Sequence, residues 1–321
     1  MKTLLKNILL CLLLLQVSIG WAQKVGTTSF QFLKVLTDAR ATAMGEAYSS
    51  VATGSDAVFW NPARLTYVKG TDLAASYMDY FLDVKHFSFS AASTIGDVGT
   101  FGIFGTVTDF GEIPVATVDR LGFIGDVYNP GLTGETIQPS AFVFGVSYAR
   151  DMTDKFSFGI TVKYGKEDLV AASEDIIMYD AGINYKTGYK SIEIAASIRH
   201  FGPEVKFVKE KYPLPQTFNI GFSSYLIGSN DPLLTSIEGQ SLLFAFDIVQ
   251  PRDYDQQYNL GLEYGFNDMF FLRGGYKLNY DEESFALGLG IKYDSYRIDY
   301  SYNDYGEFLD SVQRFTIGFG L

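Results

Sequence analysis

The chain offers few groups able to do chemistry. It holds two histidines, His86 and His200, and one cysteine, Cys11. A nucleophilic triad needs a serine within hydrogen-bond reach of an imidazole. Ser197 lies three residues from His200 in a segment that reads as a strand, so the two side chains leave opposite faces. No zinc-ligand spacing, phosphate-binding loop or Ser-His-Asp arrangement occurs, and the glycines from Gly99 to Gly105 are strand patterning. These residues argue against an enzyme and call for no cofactor or metal.

The other candidates are charges. Glu263, Arg273, Lys277, Lys292, Arg297, Asp299 and Arg314 fall on the polar side of late alternating segments. Both signs together suit a barrel lumen in which they satisfy one another, or else a path for a charged substrate. The formal net charge is -12, which argues against nucleic acid as a partner.

The elements that would position these charges are clearest at the last twelve residues. Phe315, Ile317, Phe319 and Leu321 alternate with Arg314, Thr316, Gly318 and Gly320. That is a period-two strand with one apolar face. In a transmembrane barrel such a strand pairs with the first one, and no edge remains. Tyr and Phe together number 49, Gly 32, and only 19% of residues are charged. Aromatics suit a lipid face and its girdles; glycine suits crowded interior positions and turns.

Alternation and turn residues predict strands at about 71–80, 85–94, 99–109, 140–150, 156–165, 176–186, 190–200, 214–227, 241–250, 256–266, 269–279, 284–293, 295–303 and 310–321. The fold class is therefore all-β: a transmembrane antiparallel β-barrel of about fourteen strands over 71–321, an even number as a single-chain barrel requires. Most strands are near the ~9–11 residues that cross a bilayer at a tilt. Short connections, such as Gly96 to Val98 and Asn267-Asp268, alternate with long ones near 110–139, 166–175, 201–213 and 303–310. With a periplasmic N-terminus the short turns fall on the periplasmic side. The connection at 228–240 is the exception, long enough for a small helix or a docking loop. A soluble β-sandwich is the competing architecture.

Met1 to Ala22 reads as a secretory signal, with Lys2 and Lys6 ahead of an apolar run from Ile8 to Leu15. That run is shorter than the ~20 residues of a spanning helix. Residues 23–70 do not alternate. Asp38 can cap a short helix starting at Ala39, and a second turn from Ser55-Asp56 must stop near Trp60, ahead of Pro62. Ala39, Ala41, Ala43, Gly45 and Ala47 let this segment pack closely, either as a plug in the lumen or as a cap below it. The connection at 110–139 is unusually apolar for an outer loop, with Ile113, Pro114, Leu121, Phe123, Ile124 and Tyr128. Such a loop is covered by a partner or folds inward to seal the lumen.

Phe32-Leu33, Asp38 to Ala41, Met44-Gly45, Asp56 and Trp60-Asn61-Pro62-Ala63 together resemble the opening signature of the PorV/PorQ family of outer-membrane proteins, related to the fatty-acid transporter FadL. Glu46 departs from the Gly or Asp frequent after that Met-Gly. The resemblance implies a fourteen-stranded barrel with an N-terminal hatch in the outer membrane of a Bacteroidetes-like bacterium, in contact with its lipid. It implies two alternative functions. One is a component of the type IX secretion system, which partners the large translocon barrel or the C-terminal domains of secreted cargo. The other is a FadL-like transporter of a hydrophobic small molecule. A barrel with a purely structural role is a third reading.

Overall fold

The computed structural model describes residues 26–229, 231–306 and 311–321. The signal segment lies outside the described residues. Fourteen strands close into one antiparallel barrel. In chain order these are β1 (Thr71–Asp79), β2 (Lys85–Ile95), β3 (Gly99–Asp109), β6 (Ser140–Asp151), β7 (Phe156–Asp168), β8 (Ser173–Lys186), β9 (Glu193–Phe201), β10 (Thr217–Ile227), β11 (Gln240–Pro251), β12 (Gln257–Phe266), β13 (Phe270–Leu278), β14 (Phe285–Tyr293), β15 (Tyr296–Asn303) and β16 (Val312–Gly320). Between β3 and β6, strands β4 (Ile113–Ile124) and β5 (Val127–Ile137) pair only with each other. The connection read from sequence as a loop is thus a β-hairpin.

The barrel closes where β1 meets β16, from Asp72 opposite Gly320 to Asp79 opposite Gln313. Alternation sorts the residues as a period of two requires. On β16, Phe315 and Ile317 face outward while Arg314 and Thr316 are buried inside. Among the described residues no helix is long and apolar enough to cross a membrane; the strands do so.

The boundaries agree with the sequence reading to within three residues; β7 runs on to Asp168 and β8 starts already at Ser173, whereas β9 and β10 start later than read. Strand β9 begins at Glu193 because the preceding turn extends through Lys190, whose φ is +53°. Strand β10 begins at Thr217 because Pro213 and Pro215 bring no ladder donors. The connection at 228–240 forms no helix among its described residues. It folds back at the mouth that carries the short turns, with a parallel bridge between Ile227 and Thr235.

Residues from Phe30 to Val68 lie inside the barrel, so the plug arrangement holds rather than a cap below the mouth. Phe30, Met44, Tyr48, Trp60 and Leu65 of this plug are fully buried. A helix, α1 (Ala39–Ala43), packs against β13, β14, β15 and β16, and the 3₁₀ turn at Pro62–Tyr67 packs against β6, β7 and β8.

Candidate functional site

Each turn of the plug follows from its own residues. Asp38 caps α1, its Oδ1 accepting from the backbone N–H of Arg40 at 2.9 Å and of Ala41 at 3.4 Å. Gly45 then turns with φ +60°, and its backbone lies against Gly275 of β13. Asn61 organises the next turn. Its Oδ1 accepts from Ala63 N–H at 3.1 Å, and its amide donates to the Ser49 carbonyl at 3.0 Å and to the Ile183 carbonyl of β8 at 3.1 Å. Pro62 follows at the first helical position, where its missing N–H costs nothing. Trp60 sits edge-on to Tyr48, 5.4 Å between ring centroids.

The wall is shaped for this plug by glycines. A methyl group at Gly275 would overlap the Met44–Gly45 backbone, and one at Gly288 would overlap Ala43. On the opposite wall, Gly159 lies beneath Pro62-Ala63 and Gly182 beneath Asn61. Close approach of two backbones is the usual reason for a glycine within a strand. Sequence reasoning missed these positions. Their signal was present: glycines recurring at inward positions of otherwise bulky strands.

Ion pairs fasten the plug. Arg40 forms a bidentate pair with Glu263, both contacts at 2.8 Å. Glu263 also accepts from Arg273 at 2.6 Å, and Arg273 reaches Asp299 at 2.6 Å. Asp56 meets Arg297 at 2.9 Å, and Arg297 meets Asp72 at 2.7 Å. Arg64 pairs with Glu193, Glu46 with Lys277 and Lys34 with Asp253. Arg314 donates to the Leu36 carbonyl at 2.9 Å. Of the seven charges read on the polar side of their strands, Lys292, opposite Arg297, is the one left exposed. It lies at the end of β14, exposed, and pairs with Asp268 of the neighbouring turn. Asp247 was not singled out, yet its Oδ2 accepts from the N–H groups of Tyr48 and Ser49 at 3.2 and 2.9 Å.

Burial raises the Asp38 carboxyl from 3.8 to about 7, with the negative charges of Asp56 and Asp299 adding to it. Its second oxygen has no protein partner and is free to carry that proton. Burial likewise pushes the Asp56 carboxyl up.

Two cavities flank the plug. At the mouth that carries the short turns an open polar cavity of about 960 Å³ is lined by both signs of charge, among them Arg40, Asp72, Glu263 and Arg297. On the other side an apolar cavity of about 40 Å³ lies among Phe32, Leu33, Phe59, Phe104 and Val143. Among the described residues no group of three or more His, Cys, Asp or Glu is arranged to hold a metal ion.

The hairpin stands at the opposite end from the short turns. Phe123 faces Tyr128 and Leu121 faces Pro130 across the pair, while Ile113 and Pro114 meet Ile137 and Thr136 near the barrel rim. The strands shift register between Pro114 and Leu121. Phe123 and Ile124 are 74% and 70% exposed, and Val118 84%. The hairpin does not fold inward. The structure thus gathers the plug residues in the lumen and the loop residues outside it, as two separate sites.

A family model described as "Type IX secretion system protein PorV" matches residues 20–198. No curated protein matches the chain in sequence. Among solved structures, the Pseudomonas putida toluene transporter TodX is similar at TM-score 0.58 and 13% identity, over 87% of this chain and 95% of that one. The CymD monoaromatic hydrocarbon channel is similar at TM-score 0.57 and 13% identity, over 89% and 97%. A Pseudomonas aeruginosa FadL homologue is similar at TM-score 0.53 and 12% identity, over 88% and 97%. At such identities the likeness is one of fold.

Proposed function

The chain belongs to the PorV family of type IX secretion system proteins, and we propose that its outer hairpin is the surface that engages the translocon barrel or the C-terminal domain of a secreted cargo protein. The protein is an outer-membrane barrel of a Gram-negative bacterium. Its family and fold are those of outer-membrane barrels and transporters, and we read its work as binding, not catalysis.

One observation carries this reading. The hairpin presents large apolar side chains and two unpaired strand edges to the outside, and no element among the described residues covers them. An isolated two-stranded hairpin is marginal in water, and its open edges invite another chain. Residues that seal a lumen would be buried.

The plug residues Asp38, Arg40, Met44, Gly45, Asp56, Trp60, Asn61 and Pro62 then have a different part, that of keeping the barrel shut while the hairpin engages its partner. Transport of a hydrophobic molecule draws on the fold relationship alone. The apolar cavity of about 40 Å³ is far below the ~300 Å³ at which small-molecule pockets begin.

A mild-detergent pull-down from the native outer membrane tests the reading. The intact chain is expected to recover a very large barrel subunit, or proteins that share a β-rich C-terminal domain. A chain with residues 113–137 replaced by a short turn is expected to lose them. Equal recovery by both chains overturns the hairpin's role; a lone barrel carrying bound lipid or hydrocarbon favours the transporter.

A further inference from the structure

The two edges of the outer hairpin are not alike. Its tip is a two-residue turn, Gly125-Asp126, between the paired residues Ile124 and Val127, and Gly125 has φ +65°. A glycine in the left-handed region at the first central position marks the tight turns that fit the twist of a two-stranded ribbon. Such a turn fixes which backbone groups face inward. The pair beside it exchanges both N–H···O bonds, and bonded and non-bonded pairs then alternate. Ile124 with Val127, and Gly122 with Asn129, are the bonded pairs. Phe123 with Tyr128, and Leu121 with Pro130, turn their N–H and C=O groups to the outer edges. A proline where the N–H would have no partner within the hairpin agrees with that phase.

On β5 the outward edge is blunted. Pro130 has no N–H to offer. The next two donors, Gly131 and Leu132, are taken by the Asn129 side chain, whose Oδ1 accepts from them at 3.1 and 2.8 Å. On β4, Leu121 and Phe123 keep both donor and acceptor, and among the described strands none lies beside them. The regular run ends there, because the register shifts between Ala116 and Leu121. Folded proteins disable open edges with proline, charge or a covering element. Here one edge is disabled and the other is left open at residues 121–124.

The open edge has an apolar face and acidic surroundings. Leu121, Phe123 and Tyr128 share one face, with the two rings 5.5 Å apart between centroids. Residues 112–135 hold Glu112, Asp119, Asp126 and Glu135 against a single base, Arg120. Asp119 precedes the open stretch and Asp126 follows it. A segment that completes this edge has to be extended, and it covers the face by bringing an apolar side chain at every second position. Lys or Arg beside those positions complements the carboxylates.

We propose that the β4 edge at residues 121–124 is where a partner adds a strand to the hairpin, and that the added strand is apolar at alternate positions and flanked by basic residues. Such pairing presupposes the hairpin as the partner-binding surface, and specifies its edge, its mode of contact and the partner's charge. Main-chain bonds hold the added strand, and the apolar face selects it. The β5 edge takes up none.

Partner recovery from the native outer membrane in mild detergent tests this, with folding of each variant checked by heat-dependent gel migration. Leu121→Ala removes the side chain and keeps the N–H. Leu121→Pro removes the N–H as well, opposite a residue that is already proline, so no bond within the hairpin is lost. Recovery by Leu121→Pro is expected to fall about tenfold below that by Leu121→Ala, the effect of one good hydrogen bond. On the blunted edge, Tyr128→Pro is expected to match Tyr128→Ala. Recovery by the intact chain is expected to fall as salt rises. Equal recovery by Leu121→Pro and Leu121→Ala overturns the strand addition, and so does a loss in Tyr128→Pro as large as that in Leu121→Pro. Recovery indifferent to salt overturns the basic flanks. Replacing residues 113–137 by a short turn separates the two levels: if that chain loses the partner while Leu121→Pro keeps it, the surface stands and the pairing falls. If that chain also keeps the partner, both fall.

Discussion

The plug and the outer hairpin are both rich in large apolar residues, and they meet opposite fates. In the plug, Phe30 and Trp60 are each 1% exposed; in the hairpin, Phe123 is 74% exposed. The plug finds its complement within the chain: glycine-floored walls, the Asn61 hydrogen bonds and the ion pairs of Arg40, Asp56 and Arg64. Among the described strands the hairpin pairs only with itself. Apolar surface left uncovered in this way is what the proposal of a partner interface rests on.

Substitutions that close the gap between the two regions test the contrast. The largest effect is expected from Gly275→Val. Its side chain would overlap the Met44–Gly45 backbone, and overpacking against backbone is expected to cost ~3 kcal/mol or more. Residues 26–67 should become open to protease while the barrel stays folded. Arg40→Ala comes next. It leaves Glu263 buried with only Arg273, at an expected cost of ~1–3 kcal/mol, read as a lower midpoint in urea unfolding of the detergent-solubilised protein.

The third effect depends on pH. Asp38 has a docked pKa of about 7 against 3.8 for the free group. It binds its proton more tightly when the plug is docked, so its contribution is complete below pH 3.8 and is lost as pH rises through about 7. Protection of the plug from protease should fall across that window. Asp38→Asn keeps a capping oxygen and should flatten the curve; an unchanged slope would remove Asp38 as its source. The smallest effect on stability is expected in the hairpin, where Phe123→Ser should change unfolding by ~0.5 kcal/mol or less. The same change should nonetheless reduce partner recovery. A large loss of stability would show that the hairpin is packed after all, and the contrast would fail.

The barrel was legible in the sequence because each spanning strand separates lipid from lumen, and that division prints a period of two on residues such as Tyr258, Leu260, Leu262 and Tyr264. The fourteen wall strands follow from it. The hairpin strands did not show because they separate nothing: both faces of β4 and β5 are largely exposed, and Pro114, Gly122, Pro130 and Gly131 interrupt the run. Lys292 was read on the right face, opposite Arg297, but its exposure was not legible: at the end of β14 the strand reaches the mouth, and three successive residues from Ile291 to Tyr293 are exposed. In the plug, the Asp38 cap and the stop before Pro62 were readable because they are local. That the plug lies in the lumen was not. It depends on Gly159, Gly182, Gly275 and Gly288, which lie on four different strands and meet one object only after the sheet has closed.

That closure carries a consequence for assembly. The seam between β1 and β16 joins residues some 240 positions apart, sealed by Leu321 N–H to the Thr71 carbonyl at 2.7 Å. The plug precedes β1 in the chain and lies within the ring that β1 and β16 complete. A segment seated while the sheet still curls is enclosed when those two edges meet, without having to pass through either mouth. The ring then confines the plug by its connectivity as well as by the plug's own bonds.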